Sequence, residues 1–578
     1  MNRLLALAAI ILPSAAYADA PSAEDAKLEA HFRAYLEVAF AAQPTMATML
    51  GDHRFDGLLD DISPAARAAN IDRDRKTLAE LPTKIDVSKL SAAGRLDYQI
   101  WARELERSVW MADHFKPFED DPRTYGAYLT DGVYLPLAQS SLPKEVNLKN
   151  ALSRMAAIPK IVEVARSTIK GPARVKVETA VRQTRGAIRF YEDEIYTLSG
   201  APKGDPAIAE RATPIVKALE SHLDFLQTSV LPQSTDNWRI GRKLFAEKLE
   251  YELDAGLSAD EVLKEAESEA TRVEREMAVI ARALWSSMFA DEAVPPDDDA
   301  GRRSMTRRVL AEVAKDHGRP ETLVDDARAT VGEIKAFIAA KDILRLPDPD
   351  HCRVVEMPEF KRGNSVAYLD PAPPLDQKGF SEYAISPPPT DWTRSQVESY
   401  LGEYNRSMLK ILTIHEAYPG HYVQLEYSNR CPSLIRRILS SGIFAEGWAV
   451  YTEQMMLDQG YGNGDLKLRL QQLKFYLRAV ANAILDHKMH CDDMTDAQAM
   501  ELLVGRAFQT EGEALGKIIR SKQSSCQLST YFVGRTAFYR LRRDVQRRRG
   551  DAFKLGRFHE EVLSFGTIPV KYLPELVQ

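Results

Sequence analysis

The residues of this chain best suited to chemistry lie in His415-Glu416-Ala417-Tyr418-Pro419-Gly420-His421 and in the later stretch that runs from Phe444 through Glu446 to Glu453. Two imidazoles beside a glutamate suit metal-assisted hydrolysis. Neutral imidazoles hold a divalent ion such as Zn2+, the ion lowers the pKa of a bound water to about 7, and a neighbouring carboxylate takes the proton. His415 and His421 are therefore the candidate metal ligands, and Glu416 is the candidate general base. A carboxylate on the next helix is a natural third ligand that leaves a fourth position for water, and Glu446 stands at that place. Glu453, seven positions beyond Glu446 in the numbering, falls on roughly the same helix face. It could orient one of the imidazoles by accepting a hydrogen bond.

The spacing sets a condition. In the common H-E-x-x-H pattern the two histidines sit at i and i+4 on one helix face. Here the i+4 position is Pro419, and His421 at i+6 lies about 120° around an ideal helix. Both rings reach one ion only if Pro419-Gly420 interrupts the helix. Proline has no N–H to return to the carbonyl of His415, and glycine tolerates unusual backbone angles, so an interruption is physically reasonable. The same spacing also fits a helix that ends at Pro-Gly with two solvated histidines, and the two glutamates could be ordinary surface residues. Trp448 and Tyr451 suggest instead a packed setting, in which an unpaired charge would be costly.

The elements that must position these groups read mostly as helix. Ile208, Ala212, Ile215, Leu219, Leu223 and Leu226 recur at three- and four-residue steps. Ser258 and Glu261 form a capping box ahead of a second stripe, Val262, Ala266, Ala270, Val273, Met277, Ile280 and Leu284. Segments 23–50, 66–82, 92–115, 147–170, 174–198, 303–316 and 322–340 have the same character. From Leu344 to Pro389 the chain turns rich in Pro and Gly. Short alternating runs there, Cys352–Met357 and Ser365–Leu369, predict a small sheet or hairpin whose edge could hold an extended peptide. Helical patterning returns at Thr393. No fixed-period repeat stands out.

Composition narrows the classes. The 578 residues are 45% hydrophobic and 28% charged, as in ordinary globular proteins, and a net charge of −7 gives no pull toward nucleic acid. The Arg-rich stretch Arg540–Arg549 is broken by apolar residues at helical spacing and reads as a solvated helix face. Arg3, the apolar run Leu4–Leu12 and Ala16-Tyr17-Ala18 form a secretory leader over residues 1–18, which implies export to the periplasm. No cysteine stands at the cleavage point, and no later stretch is apolar enough to span a bilayer. Cys352, Cys431, Cys491 and Cys526 lack the CxxC spacing of a zinc site. They are read as separate buried thiols, with one or two disulfides as the alternative.

Four ordered motifs resemble the bacterial family catalogued as domain of unknown function 885. The family's HEAxPGHxxQ reads here as His415 to Gln424, and its EGWAxYxE as Glu446 to Glu453. A D-x-G-L-H-like stretch appears as Asp486-His-Lys-Met-His490. An R-Y-x-x-x-P-G-Q-x-x-x-Y-x-x-G motif appears as Arg520 through Gln527, Tyr531 and Gly534. Gln43 to Gly51 also fits the family's opening. The resemblance covers nearly the whole mature chain. That family is similar in turn to helical gluzincin peptidases of the thimet oligopeptidase and carboxypeptidase Taq type. The resemblance implies a mainly α, two-lobed fold with a central cleft, and a zinc-dependent peptidase acting on short peptides. It implies His490 and Tyr531 as catalytic donors to an oxyanion. Arg520 could grip a substrate carboxylate, against a competing role in a structural salt bridge. Many members carry a second histidine where this chain has Tyr422, so the ligand role falls to His421. Ser521 replaces an aromatic and Cys526 a glycine, changes that bear on substrate contacts more than on the metal. A catalytically silent binding protein of the same fold, and a zinc amidase or esterase, are the competing functions. The domain division expected is 19–343, an N-terminal helical region, and 344–578, the small sheet followed by the catalytic helices.

Overall fold

The computed structural model describes residues 21–138, 140–357 and 367–577, so the leader expected over 1–18 lies outside the described residues. The apolar stripes become helices. The stripe from Ile208 is the helix Pro206–Phe225, which buries Ile208, Ala212, Ile215 and Leu219. Asp205 caps it by accepting from the N–H groups of Ala207 and Ile208, which have no partner inside the helix. The second stripe is α1, Ala259–Met288, opened by the Ser258–Glu261 capping box.

The Pro- and Gly-rich region folds into three strands: β1, Cys352–Glu356; β2, Ala367–Asp370; and β3, Ser381–Ile385. Their order is β1-β3-β2, with β1 parallel and β2 antiparallel to β3. The central strand β3 is the one the alternating runs did not point to. It is nearly all buried, so it carries no clean polar–apolar alternation. Val354 and Leu369 both lie opposite Tyr383 across the sheet.

Seven further helices build the site: α2, Arg394–Glu403; α3, Arg406–Glu416; α4, His421–Asn429; α5, Gly442–Asp458; α6, Leu466–Cys491; α7, Glu511–Gln523; and α8, Thr530–Arg549. Helix α2 starts where helical patterning was expected to return, on a Thr393–Gln396 capping box. The Tyr383 hydroxyl lies 3.0 Å from Thr413 Oγ1, which fastens the sheet to α3.

Two apolar cores mark two lobes. The larger contains Leu28, Phe32 and Trp101 together with α1 and α3–α8. The smaller runs from Tyr125 to Val230 and includes Ile158, Val177, Tyr191, Ile215 and Leu226, with Ile62 added. The lobes therefore do not divide at residue 343, where the sequence suggested a boundary. The apolar stripe of α1 needs an apolar partner and finds it in α6, which is buried nearly all round. The four cysteines are free thiols. Among the described residues no helix is long and apolar enough to cross a membrane. Arg540, on α8, pairs with Glu265 at 2.8 Å on the surface.

Candidate metal centre

Helix α3 is capped by Asn405, whose Oδ1 accepts from the N–H groups of Ser407 and Met408, both at 3.1 Å. It buries Met408, Leu409, Ile411, Leu412 and Ile414 and ends at Glu416. The chain then breaks over 417–420, and α4 begins at His421. This is the interruption the spacing required. A Cβ on Gly420 would lie 1.9 Å from the carbonyl oxygen of His415, so only glycine fits the turn. The break is pinned from two sides. Trp448 Nε1 on α5 donates to the carbonyl of Pro419 at 2.8 Å. The hydroxyls of Tyr418 and Tyr422 both donate to Asp350 at 2.8 Å. Tyr422 thus turns to Asp350, while His421 faces the cluster.

His415, His421 and Glu446 each offer one ligand atom within 4.8 Å of the others. Glu446 Oε2 lies 3.4 Å from His421 Nε2 and 3.8 Å from His415 Nε2. The two rings stand edge to face, 4.9 Å apart. Tetrahedral ligands bound at ~2.0–2.1 Å sit about 3.3 Å from one another, so these separations fit one ion with little adjustment. The outer nitrogen of His415, Nδ1, lies 2.8 Å from Glu453 Oε1 on a fully buried carboxyl group. Glu453 is placed to fix the ring so that Nε2 points to the shared centre. Two imidazole nitrogens and a carboxylate oxygen are a donor set that zinc accepts.

Electrostatics separate the roles. Burial, reinforced by the charge of His421, pushes the His415 imidazole down to about 3. Burial opposes the charged form of His421, but its bond to Glu446 prevails and holds the ring above its ordinary value. Burial opposes ionised Glu446 too, and the same bond holds its carboxyl below the usual range. Glu416 is pushed up to about 7 by burial, against the neighbouring His421 charge.

A cavity of about 950 Å³ opens over this group. Its walls include Ala367, Tyr368 and Leu369 of the edge strand β2 and Glu446, Val450 and Glu453 along one face of α5. Tyr531 enters from α8 and lines the cavity with Glu446 and Arg520; burial and the Glu446 charge push its hydroxyl up to about 12. The turn before α8 is held by Asp486, which accepts from Cys526 N–H at 3.0 Å and from the Ser529 hydroxyl at 3.1 Å. Cys526 has φ +71°, a conformation that glycine adopts freely.

His490, expected among the catalytic groups, does not line this cavity. Its Nε2–H points to the carbonyls of Ser521 and Ser524, at 2.9 and 3.0 Å, and its ring stacks on Phe245. It ties the end of α6 to the end of α7, a positioning role that its place near the end of α6 imposes. Arg520 lines the cavity and donates to Gln527 Oε1 at 2.5 Å. Among the described residues it has no carboxylate partner, so the structural salt bridge weighed for it does not form. Sequence reasoning missed Glu403, Arg478, Glu513 and Lys517, which also line the cavity. Arg478, a charge between apolar Leu477 and Ala479, was the available signal.

A profile described as "Bacterial protein of unknown function (DUF885)" matches residues 44–577. No curated protein matches the chain. A solved structure described as a "putative lipoprotein of unknown function" from Shewanella oneidensis is 31% identical, with a TM-score of 0.79 over 94% of this chain and 98% of that one. A "putative lipoprotein" from Colwellia psychrerythraea is 18% identical and shares the fold, with a TM-score of 0.77 over 96% of this chain and 98% of that one.

Proposed function

We propose that this chain, which belongs to the bacterial DUF885 family, is an exported zinc-dependent hydrolase of short peptides. The observation that carries the reading is the convergence of His415, His421 and Glu446 beside buried Glu416 in one cavity. Those three residues would hold the ion, which when bound supplies Lewis acidity and an activated water. Glu416, with a carboxyl near 7, can hold or release a proton around neutral pH, as a general base must. Glu453 keeps the His415 ring in one tautomer. The Tyr531 hydroxyl is a donor for an oxygen that gains negative charge, a contribution of about 2.7–4 kcal/mol where such donors have been removed. An extended peptide in the cavity would run beside β2, whose Ala367, Tyr368 and Leu369 line it. The cavity is roomy for a short peptide and too small for a folded protein. Export rests on the leader and agrees with solved relatives described as lipoproteins.

The test is metal analysis of the purified mature chain, paired with Glu416→Gln. About one zinc per chain and peptide cleavage that disappears in Glu416→Gln are expected. A chain that holds no metal and cleaves nothing would refute the reading. Bound zinc without turnover across a peptide library would leave a binding protein.

A further inference from the structure

We infer that Lys517 and Arg520 form a subsite for a free carboxylate, so that this centre acts on peptides with an unblocked C-terminus; the inference rests on the hydrolase reading above. Glu513, Gly516, Lys517 and Arg520 fall at i, i+3, i+4 and i+7 and all line the cavity from α7. A charge account of this wall leaves two cations over. Lys474 pairs with Glu403 at 2.7 Å. Arg478 pairs with Glu513 at 3.2 Å, and Glu513 also accepts from the Tyr404 hydroxyl at 3.0 Å. Glu403 and one oxygen of Glu513 are thereby engaged, while Glu513 Oε2 keeps no hydrogen-bond partner among the described residues.

Lys517 is only 6% exposed, yet among the described residues it has neither a hydrogen bond nor an ion pair. Arg520 has no carboxylate partner either. Lys517 lines the cavity with no partner for its amine at hydrogen-bond or ion-pair distance, so an anionic ligand there gains a charge-assisted hydrogen bond. Burial and the flanking Arg478 and Arg520 hold the Lys517 amine well below the usual lysine range, against the opposing charges of Glu513 and Glu446, and an arriving carboxylate favours the charged form. Apart from its chain neighbours and its own helix backbone, nothing stands within 4 Å of where a Cβ would lie on Gly516, which leaves space on this face of α7.

A guanidinium fork and an ammonium together match the two oxygens of a carboxylate. Lys517 and Arg520 line the same cavity as the metal-binding group. A peptide whose terminal carboxylate rests here presents a bond near its C-terminus to Glu416. Its upstream residues extend toward β2.

The test uses the full chain carrying Glu416→Gln, so that bound peptide is not consumed. Calorimetry compares one peptide as free acid, as C-terminal amide and as N-acetylated free acid. The free acid should bind at least tenfold more tightly than the amide, and N-acetylation should change little. Lys517→Met and Arg520→Gln, each added to Glu416→Gln, should bring acid and amide to near parity, whereas Lys517→Arg should keep the preference. Should Lys517→Met fail to fold, Arg520→Gln carries the test. Equal affinity for acid and amide, or no binding of either, overturns the subsite. In the active chain, hydrolysis of both at equal kcat/KM overturns the subsite and leaves the hydrolase standing. No hydrolysis of any peptide, with the binding preference intact, does the reverse.

Discussion

Gly447 and Gly534 meet backbone to backbone where α5 crosses α8: a Cβ on Gly447 would lie 2.4 Å from the Cα of Gly534. The crossing sets the site. Glu446 immediately precedes one glycine, and Tyr531 lies one turn before the other. Close approach of the two backbones brings the carboxylate and the hydroxyl to one cavity. Gly447→Ala or Gly534→Ala should force the helices apart and cost about 1–3 kcal/mol, as overpacked interiors do. Thermal melts measure the loss. Activity should fall further than stability explains, because Tyr531 withdraws. An unchanged melting temperature would show that the crossing tolerates a methyl group.

Glu453 is the only carboxylate bonded to the outer nitrogen of His415 among the described residues. Glu453→Ala should lower zinc affinity by about 10–100-fold, as loss of such a partner does elsewhere. Competition with a chelator gives the number. Affinity equal to that of the parent chain would mean that His415 is held by its packing alone.

Cys526 holds a left-handed conformation at a turn that Asp486 anchors. Cys526→Gly removes the backbone penalty but also a buried thiol, and stability should stay within about 1 kcal/mol of the parent. Cys526→Val puts a β-branched side chain at the same φ and should cost about 2 kcal/mol. Denaturant titration of the two variants separates them. A valine variant as stable as the glycine variant would show that the turn relaxes freely.

His222 belongs to the helix of the smaller core, is 1% exposed, and has a buried Nδ1 without a partner. Burial, helped by the Arg166 charge, lowers its imidazole to about 4. The unfolded chain takes up this proton near 6.5, so the contribution is complete above that pH and is lost as pH falls toward 4. Between pH 7 and 4.5 the parent chain should lose on the order of 2–3 kcal/mol more than His222→Met. Urea titration at the two pH values tests it. Parallel losses would show that His222 is protonated inside the fold.

How much was legible beforehand follows a physical line. Helix stripes, the Ser258 and Thr393 caps and the Pro-Gly break are local, and local rules read them: periodicity, orphan N–H groups, a missing donor at Pro419. The pairing of HEAYPGH with Glu446 and Glu453 was legible because helical spacing puts both acids on one face. Packing between distant segments decided the rest. It placed β3 between two strands that precede it, drew the N-terminal helices into the C-terminal core, and sent His490 to the carbonyls at the end of α7. It also left the Lys517 amine without an ion-pair partner among the described residues, although Glu513 stands four positions before it on the same helix, because Arg478 on α6 pairs with that acid.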